Sequence, residues 1–274
     1  MELANRVCLI AGASGAIGSA IATRFLREGA KVVLTYFSQK PPLNVQRYIE
    51  ESRALELALD VTSWEQIQAA VKTVINGFGR IDALVNCTGM LGPIGPTAQV
   101  SCEEWVRAID TNLVGSFYLT RAVLPPMMAQ SSGKIIHFSG GGAAYARPFF
   151  TAYSASKAAL VRFTESLAEE LRETGIDINT IAPGPVYSRM WEQLREAGMK
   201  GGAGSLQELR KMEETGGVPP DRAADLAVFL ASARSNGLSG RLISAVYDNW
   251  AGLDGRVQDV MKSEAGTLRR VPLV

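Results

Sequence analysis

Val7-Cys8-Leu9-Ile10-Ala11-Gly12-Ala13-Ser14-Gly15-Ala16-Ile17-Gly18 is the stretch on which the fold turns. The apolar run Val7 to Ala11 suits a strand buried on both faces. Gly12, Gly15 and Gly18 follow at once, and then Ser19 to Glu28 runs with helical period. Glycine lets a backbone turn sharply and approach an anion, and a helix N-terminus offers that anion free N–H groups. Set between a first buried strand and a first helix, the loop reads as a cradle for pyrophosphate. The plain alternative is a tight glycine turn without a ligand.

Outward from this loop, short buried runs alternate with helical segments. Further strands are predicted at Lys31 to Tyr36, Ala54 to Leu59, Ala83 to Asn86, Lys134 to Ser139 and Asp177 to Ile181. Thr62 and Ser63 ahead of Glu65 and Gln66, and Ser101 ahead of Glu104, resemble capping boxes at helix starts. Strand–helix repetition makes a parallel sheet, either a closed barrel or an open doubly wound sheet. A glycine-rich turn directly after the first strand favours the open form. The fold class is therefore α/β, a Rossmann-type doubly wound parallel sheet, expected as a single domain over residues 1–274. The glycine-rich stretch 187–220, around a helix-like Leu206 to Glu214, is predicted to be a mobile substrate flap.

Composition narrows the class. Net charge is 28 − 27 = +1, which gives no field for nucleic acid or an anionic membrane. No run approaches the ~18 apolar residues of a spanning helix, and the N-terminus lacks a signal-peptide pattern. Cys8, Cys87 and Cys102 form no CxxC pair, and His137 is the single histidine, so no metal site is expected. His137 lies inside a strand and reads as a satisfied buried imidazole. These features predict a cytoplasmic protein with no nucleic-acid or membrane partner.

The chemistry is carried by Tyr153-Ser154-Ala155-Ser156-Lys157. Four residues along a helix bring the phenol and the ammonium to one face. A free tyrosine titrates near ~10, and a nearby positive charge is expected to lower that value and make the phenol a usable acid. Leu160, Leu167 and Leu171 continue the face and should pack on the sheet, leaving Tyr153 and Lys157 over its edge.

These motifs, in this order, resemble the short-chain dehydrogenase/reductase family, and among its members the 3-oxoacyl-carrier-protein reductases. The resemblance runs from about Arg6 to Gly240; the tail 241–274 departs from the family's usual ending. Gly12, Ala16 and Gly18 are similar to its Gly-xxx-Gly-x-Gly loop, with alanine at the middle glycine. The likeness implies cofactor contacts from Gly12, Ser14, Gly15, Ala16, Ile17, Gly18, Tyr36 and Ser38. It implies others from Asp60 and Val61 beside the adenine, and from Asn86 and Gly89 in a partly retained Asn-Asn-Ala-Gly. Pro183, Gly184 and Val186 would meet the nicotinamide amide. By resemblance Tyr153 is the acid/base, Lys157 tunes it and holds the cofactor ribose, and Asn112 organises a water beside the lysine. Asp60 as a turn residue and Asn112 as a helix-interior polar group are the plainer readings.

The family's catalytic serine falls at 153 − 13 = 140, where this chain has Gly140. Ser139 is the nearest hydroxyl, and in a regular strand it would face away from the site. Gly140-Gly141-Gly142 lets the chain turn early, so Ser139 or a backbone N–H is expected to take the donor role. An NAD site usually carries an acid ~20 residues past the glycine loop; here that position is Tyr36, with no acid between Glu28 and Glu50, which favours NADP. The expected activity is hydride transfer between NAD(P)(H) and a carbonyl/secondary-alcohol substrate, in a homodimer or homotetramer. A non-catalytic dinucleotide-binding sensor or scaffold is the alternative.

Overall fold

A computed structural model describes residues 1–43, 45–271 and 273. Seven parallel strands lie in the order β3-β2-β1-β4-β5-β6-β7. They are β1 Val7–Ala11, β2 Lys31–Tyr36, β3 Ala54–Ala58, β4 Ala83–Asn86, β5 Gly133–Phe138, β6 Ile176–Ala182 and β7 Leu242–Ser244. The order reverses between β1 and β4, so a crevice opens beyond their C-terminal ends, where open α/β sheets bind ligands. The six predicted strands appear within a residue of their expected ends; β7 lies in the atypical tail, too short to announce itself by pattern.

The period of two along each strand builds two cores. Cys8 and Ile10 of β1 face a layer with Phe25 and Leu26 of α1 (Ala16–Arg27) and Leu226, Phe229 and Leu230 of α9 (Asp221–Ala231). Val7, Leu9 and Ala11 face the opposite layer. There they meet α3 (Trp64–Phe78), α5 (Gly115–Ala129) and α6 (Thr151–Glu170). Both faces are covered, which is why the strands read as continuous apolar runs.

The expected caps form. Ser63 accepts from the Gln66 N–H at 3.3 Å and starts α3, and Ser101 accepts from the Glu104 N–H at 3.1 Å at the start of α4 (Cys102–Ile109). The segment 187–220 carries α7 (Arg189–Ala197) and α8 (Gly202–Thr215). Two short helices complete the elements, α2 (Gln46–Glu50) and α10 (Val257–Met261). No helix among the described residues is long and apolar enough to cross a membrane.

Candidate active site

The first strand ends in the glycine loop, and its geometry shows what each glycine does. Gly12 has φ +76°, and a Cβ there would lie 3.1 Å from the Cys87 carbonyl carbon. A Cβ on Gly18 would fall 2.3 Å from the Gly12 carbonyl oxygen, so α1 packs on its own loop only with glycine. Gly15 differs: its nearest neighbour would be 3.6 Å away, ordinary contact, and its φ is −75°. Nothing in the chain itself requires glycine there. Gly15 is the N-cap of α1, gives no side-chain cap, and no acid occupies the first turn, which begins at Ala16 and Ile17. Those free N–H groups and the open space above Gly15 fit a dinucleotide pyrophosphate.

Around this cradle the structure places the remaining expected residues along the C-terminal edge of the sheet. The Ser14 hydroxyl donates to the Gln39 carbonyl. Tyr36 ends β2 and Ser38 follows it, exposed. Asp60, Asn86 and Asn112 likewise have side chains engaged by the protein itself. The Asp60 carboxylate accepts from the Thr62 N–H and hydroxyl at 2.9 and 2.7 Å, forming a turn; next to it, buried Val61 packs on Gly115. Asn86 accepts from the Thr88 N–H at 3.1 Å and donates to Ser116 at 2.8 Å, so its side chain points into the core. Asn112 accepts from the Met90 N–H at 2.8 Å and donates to the Met90 carbonyl and Ser156, each at 2.9 Å. It sits in a π-helical turn, Asp110–Val114, of a kind often found at functional sites. A Cβ on Gly89 would come within 3.2 Å of Lys157 Nζ and 3.3 Å of Asn112 Oδ1. Gly89 therefore lets the backbone pass between them.

A cavity of about 540 Å³ opens beside the cradle, bordered by Ile17, Ser139, Tyr153, Lys157, Pro183, Gly184 and Val186. Sequence reasoning had not singled out Cys87, Arg147, Trp191, Met212 or Lys211 on its walls. They come from loops and from α7 and α8, where no periodicity marks an inward-facing residue. Tyr153 and Lys157 meet here as expected, with Leu160 and Leu167 of α6 and Leu171 at its C-cap buried.

The electrostatics differ from expectation. Burial pushes Tyr153 up to about 12, against the lowering effect of the Arg147 charge. Lys157 is itself pulled down to about 8 by burial; its Nζ donates to the Phe138 carbonyl at 2.8 Å and stands 5.9 Å from the Tyr153 ring. Desolvation dominates at the phenol, and the charge that opposes it is that of Arg147. His137 is fully buried and its pKa falls to about 3, from burial first and Lys157 second. Its Nε2 lies 3.1 Å from the Thr120 hydroxyl, which gives its own proton to the Ser116 carbonyl. The ring nitrogen is therefore the donor, a satisfied neutral imidazole.

At the serine position, β5 ends at Phe138 and the Gly140 carbonyl accepts from the Ala143 N–H at 3.2 Å, so the chain does turn early. The Ser139 N–H is used by the Ile181 carbonyl at 2.8 Å. Its hydroxyl is buried, borders the cavity and has no partner. A Cβ on Gly140 would lie 2.1 Å from the Tyr153 hydroxyl, so the phenol fills the space a side chain would need.

Comparison with known proteins agrees with this geometry. The family model described as short chain dehydrogenase matches residues 6–198. The chain is 33% identical over 248 residues to a 3-oxoacyl-acyl-carrier-protein reductase of Thermotoga maritima, covering 89% of this chain and 97% of that protein. It is 34% identical over 261 residues to galactitol 2-dehydrogenase of Agrobacterium fabrum, with coverage of 91% and 99%. A solved actinorhodin polyketide ketoreductase, bound to NADPH, superposes with a TM-score of 0.78 at 29% identity, covering 88% of this chain and 95% of the other. This chain belongs to the short-chain dehydrogenase family and is an oxidoreductase of that family.

Proposed function

We propose that the protein transfers a hydride between NADP(H) and a carbonyl or secondary-alcohol substrate, with Tyr153 exchanging the proton and Ser139 binding the substrate oxygen. The observation that carries this reading is the convergence of the Tyr153 phenol and the orphaned Ser139 hydroxyl on one cavity beside the α1 cradle. When bound, the nicotinamide supplies or accepts the hydride. The chain's own groups do the rest. In the reductive direction Tyr153 gives its proton to the substrate oxygen, and Ser139 donates a hydrogen bond to the same atom. Lys157, fixed by the Phe138 carbonyl, holds the ribose side of the site. Gly12, Gly15 and Gly18 let the pyrophosphate approach, and the backbone of Pro183 to Val186 borders the carboxamide. The segment 187–220 closes over the substrate, with Leu194 and Leu209 in a small apolar cluster with Tyr153 and Phe150.

The NADP preference draws support from the second nucleotide loop. No carboxylate stands at Tyr36, and Lys40 follows, paired at 3.1 Å with Glu56 of β3. Arg189 of α7 contacts the Gln39 side chain, which brings a second cation to the place where a 2′-phosphate would lie. A cytoplasmic setting suits three unpaired cysteines. A homodimer or homotetramer suits the exposed Phe117 of α5, which meets Phe163 of α6 edge-on. The test is oxidation of NADPH and NADH over a panel of ketones, followed by absorbance. Tyr153→Phe should abolish turnover and leave cofactor affinity nearly unchanged. A Tyr153→Phe enzyme that keeps its rate would overturn the assignment.

A further inference from the structure

The missing serine leaves its turn with no side chain: the Tyr153 phenol fills the space at Gly140, and a charge lies beside the next two glycines. Gly140, Gly141 and Gly142 run from the end of β5 toward α6. A Cβ on Gly142 would lie 3.2 Å from the Arg147 Cβ, and one on Gly141 would lie 3.8 Å from Arg147 Nη1. The arginine thus lies along the second and third glycines; a side chain at 142 would crowd it, and one at 141 would only touch it. Two walls hold it there. Its guanidinium sits 4.3 Å from the centre of the Phe150 ring, and Nη2 donates to Glu208 of α8 at 3.0 Å. Phe150 is fully buried, so this wall is rigid. Only 18% of the Arg147 side chain is exposed, and it borders the same cavity as Tyr153.

We infer that Arg147 is a positioning residue for Tyr153: its guanidinium, fixed along the triple glycine, stabilises the phenolate left when Tyr153 gives up its proton. The inference rests on the reading of Tyr153 as the acid/base. In that step the Tyr153 O–H bond breaks and the proton forms a new O–H bond with the substrate oxygen. The hydride comes from the cofactor, and the negative charge stays on Tyr153 until solvent returns a proton. A charged, partly desolvated partner is the kind of group that favours such an anion.

The other ionisable groups around the phenol are few. Lys157 approaches from α6 itself, and Cys87 at the end of β4 faces that lysine. Tyr145 comes from the same turn as Arg147, Glu208 and Lys211 from α8, and Tyr247 from the segment after β7. Among them Arg147 is the charge that works against burial at Tyr153, whereas Tyr145 works with it.

The experiment uses the full chain without cofactor, labelled with 3-fluorotyrosine, whose more acidic phenol ionises in a range the fold tolerates. The ¹⁹F shift is followed against pH, and Tyr153→Phe identifies the resonance among the seven tyrosines. Arg147→Gln should raise the Tyr153 midpoint by about one unit or more, and Arg147→Met, which keeps the stem on Phe150, should do the same. Arg147→Lys should restore most of the wild-type value. Glu208→Gln removes the ion pair but leaves the guanidinium, so the midpoint should stay or fall. An unchanged midpoint in Arg147→Gln and Arg147→Met overturns the inference. So does an equal rise in Glu208→Gln, which would make the pair a latch between the turn and α8. No substrate or cofactor enters this titration, so failure of the wild-type enzyme to turn over ketones would undo the acid/base reading separately.

Discussion

Restoring the family's serine by Gly140→Ser should cripple this enzyme. The naive expectation is a gain, because the substitution puts a hydroxyl at the position where relatives of this fold carry one. The structure reverses it. The new Cβ would start 2.1 Å from the Tyr153 hydroxyl and 2.9 Å from the ring carbon that bears it. Real Cβ contacts do not fall below 3.0 Å, so the phenol must retreat by at least 3.0 − 2.1 = 0.9 Å. Tyr153 packs with Phe150, Leu91 and Leu194 and is open only toward the cavity, so any retreat carries its hydroxyl out of its present place. Overpacking of that kind costs about 1–3 kcal/mol of stability. A displacement of ~1 Å in a reacting group can cost on the order of a hundredfold in rate. The assay is kcat on the best ketone of the panel, with cofactor affinity and the melting temperature measured alongside. The expected result is a kcat at least about a hundredfold lower, with nearly unchanged cofactor affinity. A variant as fast as wild type, or faster, with an unchanged melting temperature would refute the geometry at Gly140 and the division of labour built on it.

Ser139→Ala should separate stability from rate. Removing a buried hydroxyl without a partner should leave the melting temperature unchanged or raised, while kcat falls on the order of 10²–10³-fold if Ser139 is the donor; an unchanged kcat would exclude it. Lys157→Ala should weaken both turnover and cofactor binding, read by kcat and by fluorescence titration, since the side chain is proposed to serve both. Arg189→Ala should weaken NADPH binding and leave NADH binding nearly untouched, and a clear wild-type preference for NADH would overturn the NADP reading. His137 sets an acid limit. Its pKa is lowered from 6.5 to about 3 in the folded protein, so the unfolded chain binds the extra proton between those values and stability falls as pH drops through them. By pH 4 the loss is about 3 kcal/mol from this group, measurable by denaturant titration at pH 7 and pH 4; a flat stability over that range would contradict it.

The sheet was legible in the sequence because parallel strands covered on both faces leave unbroken apolar runs, and β1, β2 and β4 match their predicted bounds residue for residue. The placement of Tyr153 and Lys157 on α6 was legible for a similar reason. Tyr153 and Lys157 must share a helix face, and a spacing of four records that directly. What escaped is what depends on chain segments distant in sequence. Arg189 reaches the loop after β2 from α7, and Glu208 reaches Arg147 from α8. The pKa of Tyr153 escaped as well, because the spacing to Lys157 says nothing about how deeply both groups are buried. Burial reverses the sign that pairing alone would give. Asn86 and Asn112 were picked out by motif, and the structure gives their side chains to the protein's own backbone and hydroxyls.

Those hydroxyls bond one wall of the site more tightly than the other. Asn86 donates to Ser116, and Ser116 donates to the Asn112 carbonyl at 2.7 Å. Asn112 donates to Ser156, which donates to the Tyr153 carbonyl at 2.8 Å. Each of the four residues has under 2% of its surface exposed, so every bond sits where a lost partner would cost about 1–3 kcal/mol. The chain of bonds ties β4, the π turn and α6 into one body that carries Tyr153. The facing wall is built otherwise. Arg147–Glu208 and Arg195–Glu213 are part-exposed pairs, each worth about 0–1 kcal/mol. Most of the grip of α7 and α8 comes from Leu194 and Leu209 in the apolar cluster, about 1.5–3 kcal/mol each. The packing of α7 and α8 on the site therefore rests on apolar burial and should change little with salt. A substrate that adds apolar surface to the cluster formed by Leu91, Phe150, Leu194 and Leu209 should strengthen that packing beside Tyr153, and a more apolar ketone should therefore raise the melting temperature more than a polar one of equal size.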